Sequence, residues 1–243
     1  MADGLISEVS PRDGLQSVAR TMPTARKLAW ISALHAAALR EIDVASFVPT
    51  RTLLQMADEV RRIVVLRNAL VTGVKIEAGI STAFGCTLQG TVAEVDVNWL
   101  AEQLIDAGVD ETSLSDTTGM ANPKQVRRLF ERLRAAVGER AGAAHMHNTR
   151  GLGLANCLAA FDVGVRTFDA SLGGLGGCPY APGASGNVVT EDLVFMFEAM
   201  GVKTDVDIER LIAAREPLKQ GLPGEPLYGM TPEAGLPTGF AHV

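Results

Sequence analysis

The chain has 243 residues and little of several things that would fix its chemistry at once. Its three cysteines, Cys86, Cys157 and Cys178, are an odd number without paired spacing. That excludes a disulfide framework and a four-thiolate zinc site, and favours a reducing compartment. No apolar run reaches the roughly 18 residues of a membrane span. The N-terminus lacks the charged-then-apolar pattern of a signal peptide, so a cytoplasmic protein is expected. There is no block of Lys or Arg, and the net charge is −6. A nucleic-acid or anionic-membrane partner is therefore not expected. No G-x-G-x-x-G opens a helix after the first strand, which argues against an open dinucleotide-binding sheet. Histidine is scarce as well: four in all.

What remains is a soluble globular composition, 47% hydrophobic and 21% charged, of a size for one or two domains. Short apolar strands alternate with amphipathic helices. Strands are expected at Leu5–Val9, Glu41–Phe47, Val74–Phe84, Glu111–Asp116, Ala143–Asn148 and Arg166–Leu172. Helices are expected at Thr24–Ala38, Leu53–Leu70, Val92–Ala107, Pro123–Val137, Gly153–Val163, Thr190–Met200 and Asp207–Lys219. Asn122 and Pro123 supply a cap and a first turn for the fourth of these. Trp30, Trp99, the methionines and Cys157 read as core, and Cys86 as an inert thiol. After Gly221 the sequence turns Gly- and Pro-rich and reads as a loosely ordered tail, leaving one catalytic domain over residues 1–243.

Strand, helix, strand in repetition points to a parallel sheet with crossover helices. Polar and glycine-rich clusters recur after strand ends, as they do at the C-terminal mouth of a (β/α)₈ barrel. Six strands are found where such a barrel has eight. The expected fold is thus an α/β barrel of TIM (β/α)₈ type lacking about two βα units between residues 56 and 74. Two explanations stand. A true deletion would be marked by a helix running continuously into a strand there, and an omitted segment by a chain break within that stretch.

The clusters carry the candidate chemistry. On a strand, His145 and His147 point to one face about one repeat apart, so two imidazoles can share a metal ion. The alternative is a hydrogen-bonded pair lining a polar core. Ser10-Pro-Arg-Asp-Gly14 offers Asp13 as a hard carboxylate ligand and Arg12 as a cation for a carboxylate, phosphate or enolate; it also reads as an ordinary turn. The loop Gly173–Asn187 is too glycine-rich for simple packing and lacks the Gly-Lys-Ser/Thr ending of a phosphate loop. Cys178 at its middle can exchange a proton or be inert. Asn187 is either a ligand or part of the helix start at Thr190-Glu-Asp192, whose acids suit the dipole. Asp43 and Asp116 fall on strands, and Asp116 either orients an Arg or a metal ligand, or caps the loop after it.

Taken together, Glu8-Val-Ser-Pro-Arg-Asp-Gly-Leu-Gln16, Glu41-Ile-Asp-Val-Ala-Ser-Phe-Val48, Ser113-Leu-Ser-Asp-Thr-Thr-Gly119, His145-Met-His-Asn-Thr149 and Leu175–Asn187 with Thr190-Glu-Asp-Leu193 resemble the 3-hydroxy-3-methylglutaryl-CoA lyase family. The resemblance implies a (β/α)₈ barrel with Mg²⁺ or Mn²⁺ at its mouth. It implies Asp13, His145, His147 and Asn187 as ligands, Arg12 as enolate stabiliser with Gln16 beside it in substrate binding, Cys178 in proton transfer, and Asp116 as a supporting acid. Asp43 stands where the family usually has Glu, and Val18 where it often has an acid. The implied reaction is a retro-Claisen cleavage of an acyl-CoA to acetyl-CoA and acetoacetate, with Asp43 or a water as base. A homodimer is the one protein partner left open. The rivals are a lyase or synthase for another acyl-CoA, a His-x-His metal hydrolase, and an incomplete inactive paralogue, whose unclosed sheet would expose edges.

Overall fold

The computed structural model describes residues 3–15, 18, 22–42, 76–176 and 186–240, apart from the side chains of Arg12 and Thr24. Among these residues six strands form one sheet: β1 (Leu5–Glu8), β2 (Glu41–Ile42), β3 (Glu77–Ile80), β4 (Glu111–Ser115), β5 (Ala141–His145) and β6 (Thr167–Ala170). Their order is β2-β1-β6-β5-β4-β3, and every pairing is parallel.

Successive strand residues point to opposite faces, and paired residues on neighbouring strands share one. Two rows across the sheet follow from the register. Ile6, Phe168, Ala144, Leu114 and Ile80 are linked pair by pair and all are buried. One residue further along, Ser7, Asp169, His145 and Ser115 form the next row. The apolar row binds the helices and the polar row faces the interior.

The helices are α1 (Thr24–Ala36), α2 (Glu94–Asp106), α3 (Pro123–Val137), α4 (Gly153–Asp162), α5 (Thr190–Ala199), α6 (Ile208–Ala213), α7 (Arg215–Gly221) and α8 (Met230–Ala234). The Asn122 side chain accepts the Gln125 N–H at 3.1 Å and Pro123 occupies the first turn of α3, as the sequence predicts. The single helix expected over Asp207–Lys219 is two, divided at Ala214. Pro217 explains the break: it has no N–H to donate, and its ring crowds the carbonyl of Ala213.

In a closed (β/α)₈ ring the first strand lies beside the last, and β1 does pair with β6. The sheet curls into part of such a barrel, with β2 and β3 as its two ends among the described residues. The two units absent from the strand count fall between those ends in sequence. The expected helix Leu53–Leu70, the rest of the second strand and both explanations of the gap lie in residues 43–75, outside the described residues.

Some core assignments need correction. Trp30 is fully buried, but Trp99 is 59% exposed and Met200 and Met230 are also exposed. Helix α2 turns Val97, Ala101 and Ile105 inward, a stripe at four-residue spacing whose small central residue admits close approach to the sheet; Val95 and Trp99 are on the other side. Cys157 is buried on α4 as expected, and burial pushes its thiol far above the ordinary range. Residues 222–240, expected as a loose tail, are tied down instead. The Asp192 carboxylate accepts the Met230 and Thr231 N–H groups at 3.0 and 2.7 Å, and the Tyr228 N–H donates to Gly173 O at 2.8 Å. Among the described residues no helix is long and apolar enough to cross a membrane.

The exposure difference sets up a paired test. Phe168 lies between the sheet and α5, its ring 5.0 Å from that of Phe197. Phe168→Ala is expected to lower the unfolding free energy by about 3–5 kcal/mol in a urea titration. Trp99→Ala is expected to change it by less than about 0.5 kcal/mol.

Candidate active site

The candidate residues that the structure describes all lie at or just beyond the C-terminal ends of parallel strands, where barrel enzymes place their chemistry. β1 runs into a tight π-helical turn, Ser10–Gly14, in which the Asp13 and Gly14 N–H groups both return to Val9 O. The turn carries Asp13 toward the loop after β6. There Asp13 Oδ2 accepts the Asn187 amide Nδ2 at 2.9 Å. The same Nδ2 donates to Leu175 O at 3.1 Å. Two acceptors on one amide nitrogen fix its orientation. Asn187 Oδ1 is then left buried near the His147 ring without a well-formed hydrogen bond among the described residues. Helix α5 has Val189 at its N-cap and no side-chain cap, so Asn187 does not serve the helix start.

Strand β5 ends at His145; Met146 turns into the core and His147 bridges to Asn187. The two rings meet as the i, i+2 spacing predicts, with Nε2 atoms 3.1 Å apart and centroids 5.2 Å apart. Burial pushes His147 down to about 4, helped by the neighbouring His145 and opposed by the charge of Asp13 and by the Asn187 side chain beside the ring. A neutral ring keeps a lone pair available for a cation. His145 Nδ1 lies 3.0 Å from Asp169 Oδ2.

Do these donors fit a divalent cation? Among the described residues no three His, Cys, Asp or Glu side chains gather into one ready-made ligand group. The donors stand instead as two pairs, His145 with His147 and Asp13 with Asn187, joined by the backbone bridge from His147 to Asn187. The 3.1 Å between the ring nitrogens is hydrogen-bond distance, so the two rings do form the hydrogen-bonded pair that the sequence left as the alternative, and they are also close enough to share one ion. Two imidazoles, a carboxylate and an amide oxygen make a mixed nitrogen and oxygen donor set of the kind that divalent cations take, the oxygens suiting a hard ion and the imidazoles a transition ion. The residues fit.

Asp116 follows β4. Its Oδ1 accepts the Met120 and Ala121 N–H groups at 2.8 and 3.1 Å, so it does cap its own loop. Its Oδ2 is buried and without a partner among the described residues, and burial pushes the carboxyl up to about 6. Arg150 holds the same loop through the Thr118 and Gly119 carbonyls. Two glycines of the long loop have a steric reason. A Cβ on Gly176 would come within 2.6 Å of Asn187 Nδ2, and one on Gly186 within 2.3 Å of Gly176 O. Both also have positive φ, +118° and +91°. Gln16, Asp43 and Cys178 lie outside the described residues, as does the side chain of Arg12.

Three groups escape a reading of the sequence. Asp169 is one. Glu8, fully buried, is another: it accepts the Ser10 N–H at 3.0 Å, the Leu172 N–H at 2.9 Å, the Thr190 hydroxyl at 2.5 Å and the Ser10 hydroxyl. It thereby ties the turn bearing Asp13 to the base of the glycine loop and to α5. Burial pushes its carboxyl up, and these four donors pull it back. The third is the buried pair Glu191–Arg215, at 2.5 Å. Glu191 also accepts the Gly173 N–H, and Arg215 donates to Tyr228 O at 2.9 Å. From sequence Glu191 and Asp192 read as helix-dipole acids; in the fold both carboxylates also hold distant backbone N–H groups. The signal available in sequence was polar residues at positions where a strand faces inward, and acids at a helix start with a distant Arg.

Comparison with known proteins follows the same lines. A family model described as HMGL-like matches residues 55–217. The chain is 33% identical to an (R)-citramalyl-CoA lyase of Chloroflexus aurantiacus, over 95% of this chain and 94% of that protein. It is 34% identical to the hydroxymethylglutaryl-CoA lyase YngG of Bacillus subtilis, over 91% of this chain and 94% of that one. A solved HMG-CoA lyase from Acinetobacter baumannii, in complex with coenzyme A and 3-methylmalate, superposes with a TM-score of 0.84 at 33% identity, covering 98% of this chain and 97% of its own.

The Glu8 knot gives a test. Glu8→Gln turns two acceptors into one acceptor and one donor, setting N–H against N–H or hydroxyl. The variant is expected to lose about 1–3 kcal/mol of stability by urea unfolding. Thr190→Val, which removes one of the four donors, should lose less.

Proposed function

Because this chain belongs to the HMGL-like family and is an acyl-CoA carbon–carbon lyase, we propose that its substrate is 3-hydroxy-3-methylglutaryl-CoA or a close analogue, cleaved with a divalent metal. The observation that supports this most is the meeting of His145 and His147 Nε2 at 3.1 Å, next to the Asp13–Asn187 pair. The coenzyme A bound to the Acinetobacter lyase supports the thioester half.

In this proposal Asp13, His145, His147 and Asn187 hold the cation, Mg²⁺ or Mn²⁺. When bound, the cation supplies Lewis acidity that makes the substrate's 3-hydroxyl proton removable. Asp43, or a water, takes that proton. The C2–C3 bond breaks: C3 becomes the ketone of acetoacetate, and the bonding pair stays on C2 as the enolate of acetyl-CoA. The guanidinium of Arg12 holds the enolate charge. Cys178 returns a proton to C2. Asp116, raised to about 6, holds or gives up a proton near neutrality where an ordinary aspartate would not.

A second reading has its own observation. The (R)-citramalyl-CoA lyase is as similar to this chain as the hydroxymethylglutaryl-CoA lyase is. Its acyl group is one methylene shorter between the carbinol carbon and the carboxylate.

Both readings meet one assay, acetyl-CoA release from each thioester with and without EDTA. Release from 3-hydroxy-3-methylglutaryl-CoA is expected to stop on chelation and return with Mg²⁺ or Mn²⁺. His147→Ala should reduce it by at least about 100-fold. Preference for citramalyl-CoA would select the second reading. Release that ignores EDTA would overturn the metal, and no release from either thioester would leave the inactive paralogue.

A further inference from the structure

We propose that Asp169 is a positioning residue, which fixes the tautomer of His145 so that a bare Nε2 faces His147. The inference deepens the metal reading above and rests on it. Asp169 stands beside His145 in the strand register, on the same inward face, and Ser7 is its neighbour on the other side. Its Oδ2 is 3.0 Å from His145 Nδ1. Both side chains are largely shielded, at 14% and 22% exposure.

An ionised carboxylate only accepts hydrogen bonds. The proton of the contact therefore belongs to His145 Nδ1, and a neutral ring with its proton there has a lone pair at Nε2. That Nε2 is the atom 3.1 Å from His147 Nε2. Asp116, whose charge also acts on His145, has its Oδ1 engaged by the Met120 and Ala121 N–H groups. Ser7 can rotate either way. Glu77, whose charge acts on Asp169, is engaged with the Ser113 side chain and the Ala143 N–H. With the Asp169 carboxylate taken away, the His145 proton is free to move to Nε2, where it would point at the place a cation has to occupy. Carboxylate partners of this kind commonly account for a 10- to 100-fold difference in metal affinity.

The test has two readouts, neither of which is turnover. Nitrogen-15 NMR of the histidine rings in metal-free protein reports the tautomer directly. Manganese titration followed by electron paramagnetic resonance reports affinity. Wild-type His145 is expected to carry its proton on Nδ1. Asp169→Ala should lose that tautomer and bind Mn²⁺ about 10- to 100-fold more weakly. Asp169→Asn, which keeps a neutral acceptor, should fall between the two, and urea unfolding of all three checks that the fold is kept. A proton on Nε2 in the wild type, or Mn²⁺ affinity unchanged in Asp169→Ala, overturns the proposal. If the tautomer depends on Asp169 as expected but the wild type binds no Mn²⁺, the hold of Asp169 on the ring stands and the metal reading of the site falls.

Discussion

Asp13 and Asn187 are 174 residues apart, and they touch because β1 lies beside β6. That one pairing brings the turn at the start of the chain against the loop that ends its glycine-rich stretch. It also puts Ser7 next to Asp169, and through β5 next to His145. A slip of one residue between β1 and β6 would exchange the polar row for the apolar row. Ile6 would face the interior, and Asp13 would leave Asn187. The register is held by Phe168, Leu114 and Ala144, whose burial against the helices is lost in any other alignment. Hydrophobic packing on one face of the sheet thus sets the geometry of the polar groups on the other.

The strand ends are then stiffened by buried polar groups that are used almost completely. Glu8 joins three elements with four hydrogen bonds, and Glu191 with Arg215 joins the loop base, α5 and the segment at Tyr228. Such groups are costly to bury and gain little net stability over an apolar filling. What they give is direction: each carboxylate accepts only donors in fixed places, so the backbone of the turn and of Leu172–Gly174 has one arrangement. The atoms left over are informative against this background. Asn187 Oδ1 and Asp116 Oδ2 lack partners among the described residues, as do His147 Nδ1, Ser171 Oγ and Thr149 Oγ1 around them. Both are at the mouth, beside the residues proposed to act.

Much of this was legible in the sequence, and the reasons it was or was not are physical. The i, i+2 histidines were readable because strand geometry alone brings them together. Asn122 was readable because a cap is local. Asn187 and Asp13 could be named, but the contact between them could not be derived from spacing, because it depends on a pairing across the whole chain. Asp169 was missed for the same reason: Thr-Phe-Asp-Ala is an ordinary alternating strand until its register against β5 is known. Trp99 was misplaced because an apolar residue on an amphipathic helix is assumed to face in, whereas α2 uses the smaller stripe of Val97 and Ala101. The tail after Gly221 was misjudged because its anchor, Asp192, had a local explanation as a helix-dipole acid that concealed its long-range one.

The arrangement also separates two properties that a lyase must set. In a retro-Claisen cleavage the electrons leave with acetyl-CoA whichever ketoacid is released, so the demands on the cation and on the enolate-holding group are the same for a six-carbon and a five-carbon acyl chain. A methylene more or less in a pocket is worth about 1–3 kcal/mol, small beside the tens of kcal/mol at stake in stabilising a carbanion in water-free surroundings. Under the proposed mechanism, selection can therefore retune acyl preference elsewhere in the barrel while Asp13, His145, His147 and Asn187, the proposed ligands, stay as they are. Similar identity to lyases named for two different acyl groups is what that separation leads one to expect. Glu8, Asp169 and Glu191 support the turn and strand ends that carry the residues proposed as ligands, so they belong to the part of the structure that both proposed reactions would share.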